Sequence, residues 1–126
     1  MNLRFESTKK FEKELNGFSV IDKKQIIQRL NKYSQLLESE PESFYKKAYQ
    51  PMKLKLKGDS ESSLYALRIN VDIRLIITVD EDPLFDQTII TLLHVVRHSN
   101  IDKAFKNIAE SLYQKELNSI REGSNK

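Results

Sequence analysis

The chain has 126 residues, of which 39% are apolar and 31% charged, and it contains no cysteine. That length supports one domain with a core of its own, and without thiols neither a disulfide framework nor a thiolate metal site is available. The formal net charge is +3 and the pI about 9.0, a mild basic excess that favours a nucleic-acid partner without requiring one.

The first residues, Met1-Asn2-Leu3-Arg4-Phe5-Glu6, carry charge and lack the apolar centre of a signal peptide. The longest nearly apolar run, 89–96, is interrupted by Thr91 and His94. It falls far short of the ~20 residues of a membrane span. A cytoplasmic location and no membrane partner are expected.

Leu3 to Glu6 alternates as a short strand. Ser7 or Thr8 is then a side-chain cap for a helix with Phe11, Leu15 and Phe18 on one stripe. Asn16-Gly17 breaks that helix. Ser19 with Asp22 resembles a capping box ahead of a longer helix that carries Ile26, Ile27, Leu30, Tyr33 and Leu37. The two read as a helical hairpin, ended at or just before Pro41.

Residues 38–51 are polar, contain Pro41 and Pro51, and read as a connecting loop. The period then changes from 3.6 to 2. Met52, Leu54 and Leu56 alternate with Lys53, Lys55 and Lys57, the pattern of a half-buried strand. A turn-rich stretch, 58–63, precedes strands at 64–69 and 73–80. Residues 88–96 are apolar on both parities, as in a central strand covered on both faces. Ser99 or Asn100 can cap a last helix whose stripe, Ile101, Phe105, Ile108 and Leu112, reads as core. The expected architecture is therefore α+β: a helical hairpin packed on a small antiparallel sheet, with a C-terminal helix. One domain covers 1–120, and 121–126 is a frayed tail.

The hairpin within 64–80 has one register that separates core from charge. A three-residue loop, Asn70-Val71-Asp72, sets Ile69 against Ile73 and Arg68 against Arg74. Tyr65, Leu67, Ile69, Ile73, Leu75, Ile77 and Val79 then share one face, because a slip of one residue would exchange the faces. Such loops commonly end in a left-handed residue, which Asp72 tolerates. Two arginines directly opposed repel each other, a feature that makes sense where an anion lies between them.

The segment Leu64-Tyr65-Ala66-Leu67-Arg68-Ile69-Asn70-Val71-Asp72-Ile73-Arg74-Leu75-Ile76 resembles the arginine hairpin of the RelE/ParE toxin superfamily. Lys53-Leu54-Lys55-Leu56-Lys57-Gly58 is similar to that family's Lys-Leu-x-Gly strand, and Leu93-His94-Val95-Val96-Arg97-His98 to its last strand and His-Arg ending. The likeness covers about residues 2–112. It implies the toxin of a type II toxin–antitoxin system, with a cognate antitoxin as partner. It further implies an endoribonuclease that inhibits translation by cutting mRNA, in dependence on the ribosome or without it, through the substrate's own 2′-hydroxyl, with no metal or cofactor. The alternatives within the family are a ParE-like inhibitor of DNA gyrase, acting through the helical hairpin, and a catalytically degenerate member.

Such a cleavage needs cations for the phosphate, a base for the 2′-hydroxyl and an acid for the leaving oxygen. Arg68 and Arg74 are the candidate phosphate binders, since planar guanidinium matches phosphate oxygens. His98 is the candidate acid or base, and Lys55 a base if neighbouring cations lower its pKa. Lys53, Lys57 and Arg97 complete the expected substrate-binding set. Each residue also has a plainer reading. The lysine row suits the solvated face of an edge strand, and His98 a surface histidine. His94 reads as a core or interface residue, and with no third ligand His94 and His98 do not suggest zinc.

Overall fold

The computed structural model describes residues 2–55 and 61–110. Strand β1 (Asn2–Ser7) leads into helices α1 (Lys9–Asn16), α2 (Val20–Ser39) and α3 (Pro41–Lys47). Strands β2 (Tyr49–Lys55), β3 (Glu61–Arg68), β4 (Ile73–Asp82) and β5 (Gln87–Arg97) follow. A 3-10 turn at His98–Asn100 then enters a helix, α4, over 101–110. Lys57, residues 58–60 of the expected loop, Leu112 and the 121–126 tail lie outside the described residues, while 61–63, expected as loop, already belong to β3. The architecture is α+β, as expected.

Both helix starts use the side chains that the sequence offers. Thr8 Oγ1 accepts the Phe11 N–H at 3.0 Å, and Ser19 Oγ accepts the Asp22 N–H at 3.1 Å, each satisfying a donor that has no partner within the helix. Thr8 also donates its hydroxyl to the Leu93 carbonyl at 3.1 Å, which anchors the start of α1 to β5. The reading of 38–51 as loop is corrected by α3. Pro41 occupies its first turn, where a missing N–H costs no hydrogen bond, and Phe44 drives the helix inward. Phe44 is 1% exposed, with the rings of Tyr33 and Tyr65 edge-on at 6.2 and 6.3 Å.

The sheet has five strands in the order β1-β5-β4-β3-β2. It is mixed rather than antiparallel, because β1 runs parallel to β5. A parallel pair needs a long crossover, and the whole stretch from α1 to β4 supplies it. One face carries Tyr65, Leu67, Ile69, Ile73, Leu75 and Ile77 against Phe11, Ile26, Leu37 and Phe44 of the three N-terminal helices. The other face carries Leu64, Ile76 and Val96 against Ala104 and Ile108 of α4. This two-sided burial is why β5 is apolar on both parities. Its pairing shifts where Ile76 faces His94 and Ile77 faces Leu92, so Leu93 is an extra, bulged residue. Among the described residues, no helix is long and apolar enough to cross a membrane.

The β3–β4 register is the expected one: Leu67 opposes Leu75 and Arg68 opposes Arg74, with the Ile69 N–H bonded to the Ile73 carbonyl at 3.0 Å. The turn closes differently from expectation. Among the described residues the one non-glycine with positive φ is Asp86, at 48°, and not Asp72. Asn70 closes the turn instead. Its Oδ1 accepts the N–H groups of Asp72 at 2.9 Å and Ile73 at 2.8 Å, an Asx-type closure that needs no left-handed residue. Its Nδ2 donates to Gln25 Oε1 of α2 at 2.8 Å, tying the turn to the helical layer.

Asn70→Ala leaves two turn N–H groups without their acceptor and lowers unfolding free energy by about 1–3 kcal/mol in a denaturant titration; Asn70→Asp, which keeps the acceptor, loses less. A second expected outcome concerns Tyr45, whose hydroxyl pKa is raised above its ordinary 10.0, first by burial, then by Tyr65 and Glu81. The folded chain thus holds this proton more tightly than the unfolded one. Its contribution is complete below the unfolded value and is lost as pH rises through the folded one. Tyr45→Phe should therefore show a shallower alkaline fall in stability than the parent chain.

Candidate anion-binding cleft

The parity that buries Leu67 and Leu75 under the helices sends Arg68 and Arg74 to the α4 face. Because Ile69 and Ile73 are joined by a main-chain hydrogen bond, Arg68 and Arg74 form the next pair along, one without mutual hydrogen bonds. Pairs of that kind bring Cα atoms to about 4.5 Å and hold their side chains closest. The sheet thus sets two cations side by side at one end of a face. The 3-10 turn at His98–Asn100 and the first turn of α4 wall them in.

The resulting cleft has a volume of about 270 Å³ and is lined by Lys47, Arg68, Arg74, His98, Asp102 and the apolar Ala66, Ile101 and Phe105. Lys47, Arg68 and Arg74 supply three positive charges against the one negative charge of Asp102. An anion entering here would meet several cationic side chains among partly apolar lining.

The two arginines are held differently. Arg74 donates from Nη1 to the carbonyl oxygens of Asn70 at 2.6 Å and Ile73 at 3.2 Å. These turn dipoles fix its guanidinium towards the hairpin tip and offset part of the repulsion from Arg68. Arg68 is exposed, and among the described residues its guanidinium has no hydrogen bond or ion pair. Its main chain is secured instead: Tyr33 Oη donates to the Arg68 carbonyl at 2.8 Å. A fixed backbone carrying an uncommitted planar cation is the arrangement expected of a phosphate binder.

The remaining expected residues divide. His98 joins the cleft, and its N–H donates to the Asp72 carbonyl, so the turn of the arginine hairpin positions it. Arg97 does not join. It opposes Ile73, on the helix-covered face, where it pairs with Asp72 and stacks over the Phe18 ring at 5.2 Å. Position 53 opposes Ser63, which opposes Val79 of the helix-side face. Positions 53 and 55 therefore follow that face, while position 52, opposite Leu64, follows the arginine face. His94 lies away from the cleft, 2.9 Å from Glu14 Oε1 through Nδ1.

Lys47 and Asp102 were not anticipated. Lys47 had a legible signal in Pro41, Glu42 and Lys46-Lys47, the order of first-turn proline, first-turn acid and last-turn bases that marks a short helix. Asp102 carries no local signal, because only the turn of the chain after β5 brings it into the cleft that Arg68 lines.

A second polar hollow, of about 220 Å³, lies between α2 and the hairpin and is lined by Gln25, Gln28, Arg29, Lys32, Ile69 and Asn70. Arg29 is committed there, donating from Nε to the Ile69 carbonyl at 3.2 Å. The first cleft is the better candidate for an anion because its exposed arginine is uncommitted among the described residues.

Comparison with protein-family models, with curated proteins and with solved structures returned no match.

Replacing Arg68 should separate stability from binding. Arg68→Gln removes a directly opposed like charge and gains roughly 0.2–1 kcal/mol of stability. Inorganic phosphate should raise the melting temperature of the parent chain more than that of Arg68→Gln, and thermal unfolding with and without phosphate measures both effects.

Proposed function

We propose that the chain is a RelE-like mRNA endonuclease, the toxin of a toxin–antitoxin pair, and that the Arg68–Arg74 cleft is its active site. The observation that carries this reading is the exposed Arg68 guanidinium, unpaired among the described residues, in one cleft with Arg74 and His98 that is sized for a phosphodiester rather than a large cofactor. In this reaction the 2′-oxygen of the substrate attacks the adjacent phosphorus as the bond from phosphorus to the 5′-oxygen breaks. The products are a 2′,3′-cyclic phosphate and a free 5′-hydroxyl.

Arg68 and Lys47 neutralise the non-bridging oxygens, whose charge grows in the transition state. Arg74, already oriented by the turn carbonyls, offers its remaining N–H groups to the same phosphate. Protonated His98 delivers a proton to the leaving 5′-oxygen, and the Asp102 carboxylate accepts the one released by the 2′-hydroxyl. Phe105 in the cleft lining offers a ring on which a base can stack. The positive cleft also suits an acidic antitoxin segment that would block it.

A second reading, inhibition of DNA gyrase without cleavage, draws on a different surface. Val20 and Ile21 at the start of α2 are 70% and 71% exposed, an apolar pair on the helical layer that the nuclease reading leaves unused.

Translation of a defined message in a cell-free extract separates the two. The nuclease reading predicts fragments ending in 2′,3′-cyclic phosphate, with rates falling about 10²–10⁴-fold in His98→Gln and cleavage absent in Arg68→Glu. An intact message alongside blocked supercoiling would instead support the second reading.

A further inference from the structure

We propose that β1 is a self-complementary edge through which two copies of this chain join their sheets, antiparallel, with Phe5 on the two-fold axis. This inference is independent of the nuclease reading.

β1 ends the sheet on one side among the described residues, and five of its six residues are exposed. Its outward hydrogen-bonding parity is fixed. The Asn2 N–H donates to the Asp86 carbonyl at 3.3 Å and the Thr8 N–H to the Leu92 carbonyl at 3.1 Å, so even-numbered residues direct their main-chain groups towards β5. Main-chain groups alternate in direction along a strand, which leaves those of Leu3, Phe5 and Ser7 pointing outward.

An antiparallel pair of identical strands must match outward groups with outward groups, so its two-fold axis passes through a residue. The three central choices are distinguished by charge. An axis at Arg4 opposes two arginines, and an axis at Glu6 opposes two glutamates. With the axis at Phe5, Arg4 of each copy faces Glu6 of the other. Leu3 then meets Ser7 and Phe5 meets Phe5, and these three pairs exchange about six main-chain hydrogen bonds. The Arg4–Glu6 pairs fall at positions without main-chain bonds, where side chains approach most closely.

Within one copy, Arg4 and Glu6 already lie 3.4 Å apart, with side chains 61% and 48% exposed. An exposed pair of this kind contributes little, so exchanging it for two intermolecular pairs forfeits little. Phe5, 43% exposed, gains a second ring against it. A single edge strand is a small interface, and the association is accordingly weak. The axis stands perpendicular to the sheet, so both arginine clefts face the same side of the ten-stranded product.

Sedimentation velocity over about 5–500 µM tests this. The parent chain should shift from monomer to dimer within that range. Arg4→Glu and Glu6→Arg should each weaken the dimer at least about tenfold, because like charges then oppose at both pairs. The double swap, Arg4→Glu with Glu6→Arg, should restore it, and an equimolar mixture of the two single variants should form a heterodimer. Circular dichroism of each variant checks that the fold is kept. A parent chain that stays monomeric throughout, single variants that dimerise like the parent, or a double swap that fails to recover would each overturn the proposal.

Discussion

Arg68 lies opposite Arg74 because Leu67 must lie opposite Leu75. That coupling between a buried pair and a charged pair is the constraint on which the cleft rests. Leu67 and Leu75 are fully buried, and each such side chain contributes roughly 1.5–3 kcal/mol by leaving water. Two arginines opposed on the other face cost a few tenths to ~1 kcal/mol. Burial is the stronger of the two and sets the register, and the weaker repulsion persists locally on the α4 face. Burial on one side of the sheet thereby prepares an electrostatic site on the other.

The surrounding structure preserves that arrangement. Asn70 closes the turn through its own side chain and reaches Gln25 of α2. Tyr33 holds the Arg68 carbonyl from the same helix. Asp72 receives the His98 N–H and pairs with Arg97, so one turn fixes the end of β5 and the entry to α4. Arg97, on the opposite face of the sheet, thus shares Asp72 with the His98 main chain. The cleft has its rigid parts in the main chain and, among the described residues, its uncommitted part in the Arg68 guanidinium.

The hairpin register was legible because periodicity, loop length and charge separation all pointed to one pairing. The two-sided burial of β5 was legible for a similar reason, since both parities are apolar. The parallel pairing of β1 with β5 was not: alternation identifies a strand but carries nothing about the direction of its neighbour. The face taken by Lys53 and Lys55 was not legible, because it depends on the pairing of β2 with β3, across a loop whose length the pattern leaves open. Asp72 suited a left-handed position by residue type, yet Asn70 two residues earlier offered a hydrogen-bonded closure without left-handed strain. Asp102 and Lys47 entered the cleft through the packing of separate helices, which no local spacing encodes.

The most direct test follows the side-chain N–H signals of the arginines and the imidazole of His98 by NMR during titration with a short, uncleavable RNA analogue. If the cleft is the phosphate site, the Arg68 signal and His98 shift together along one saturation curve while Arg97, on the other face, stays where it was. Unmoved Arg68 and His98 signals, or a response confined to Arg97 and Arg29, would contradict the account.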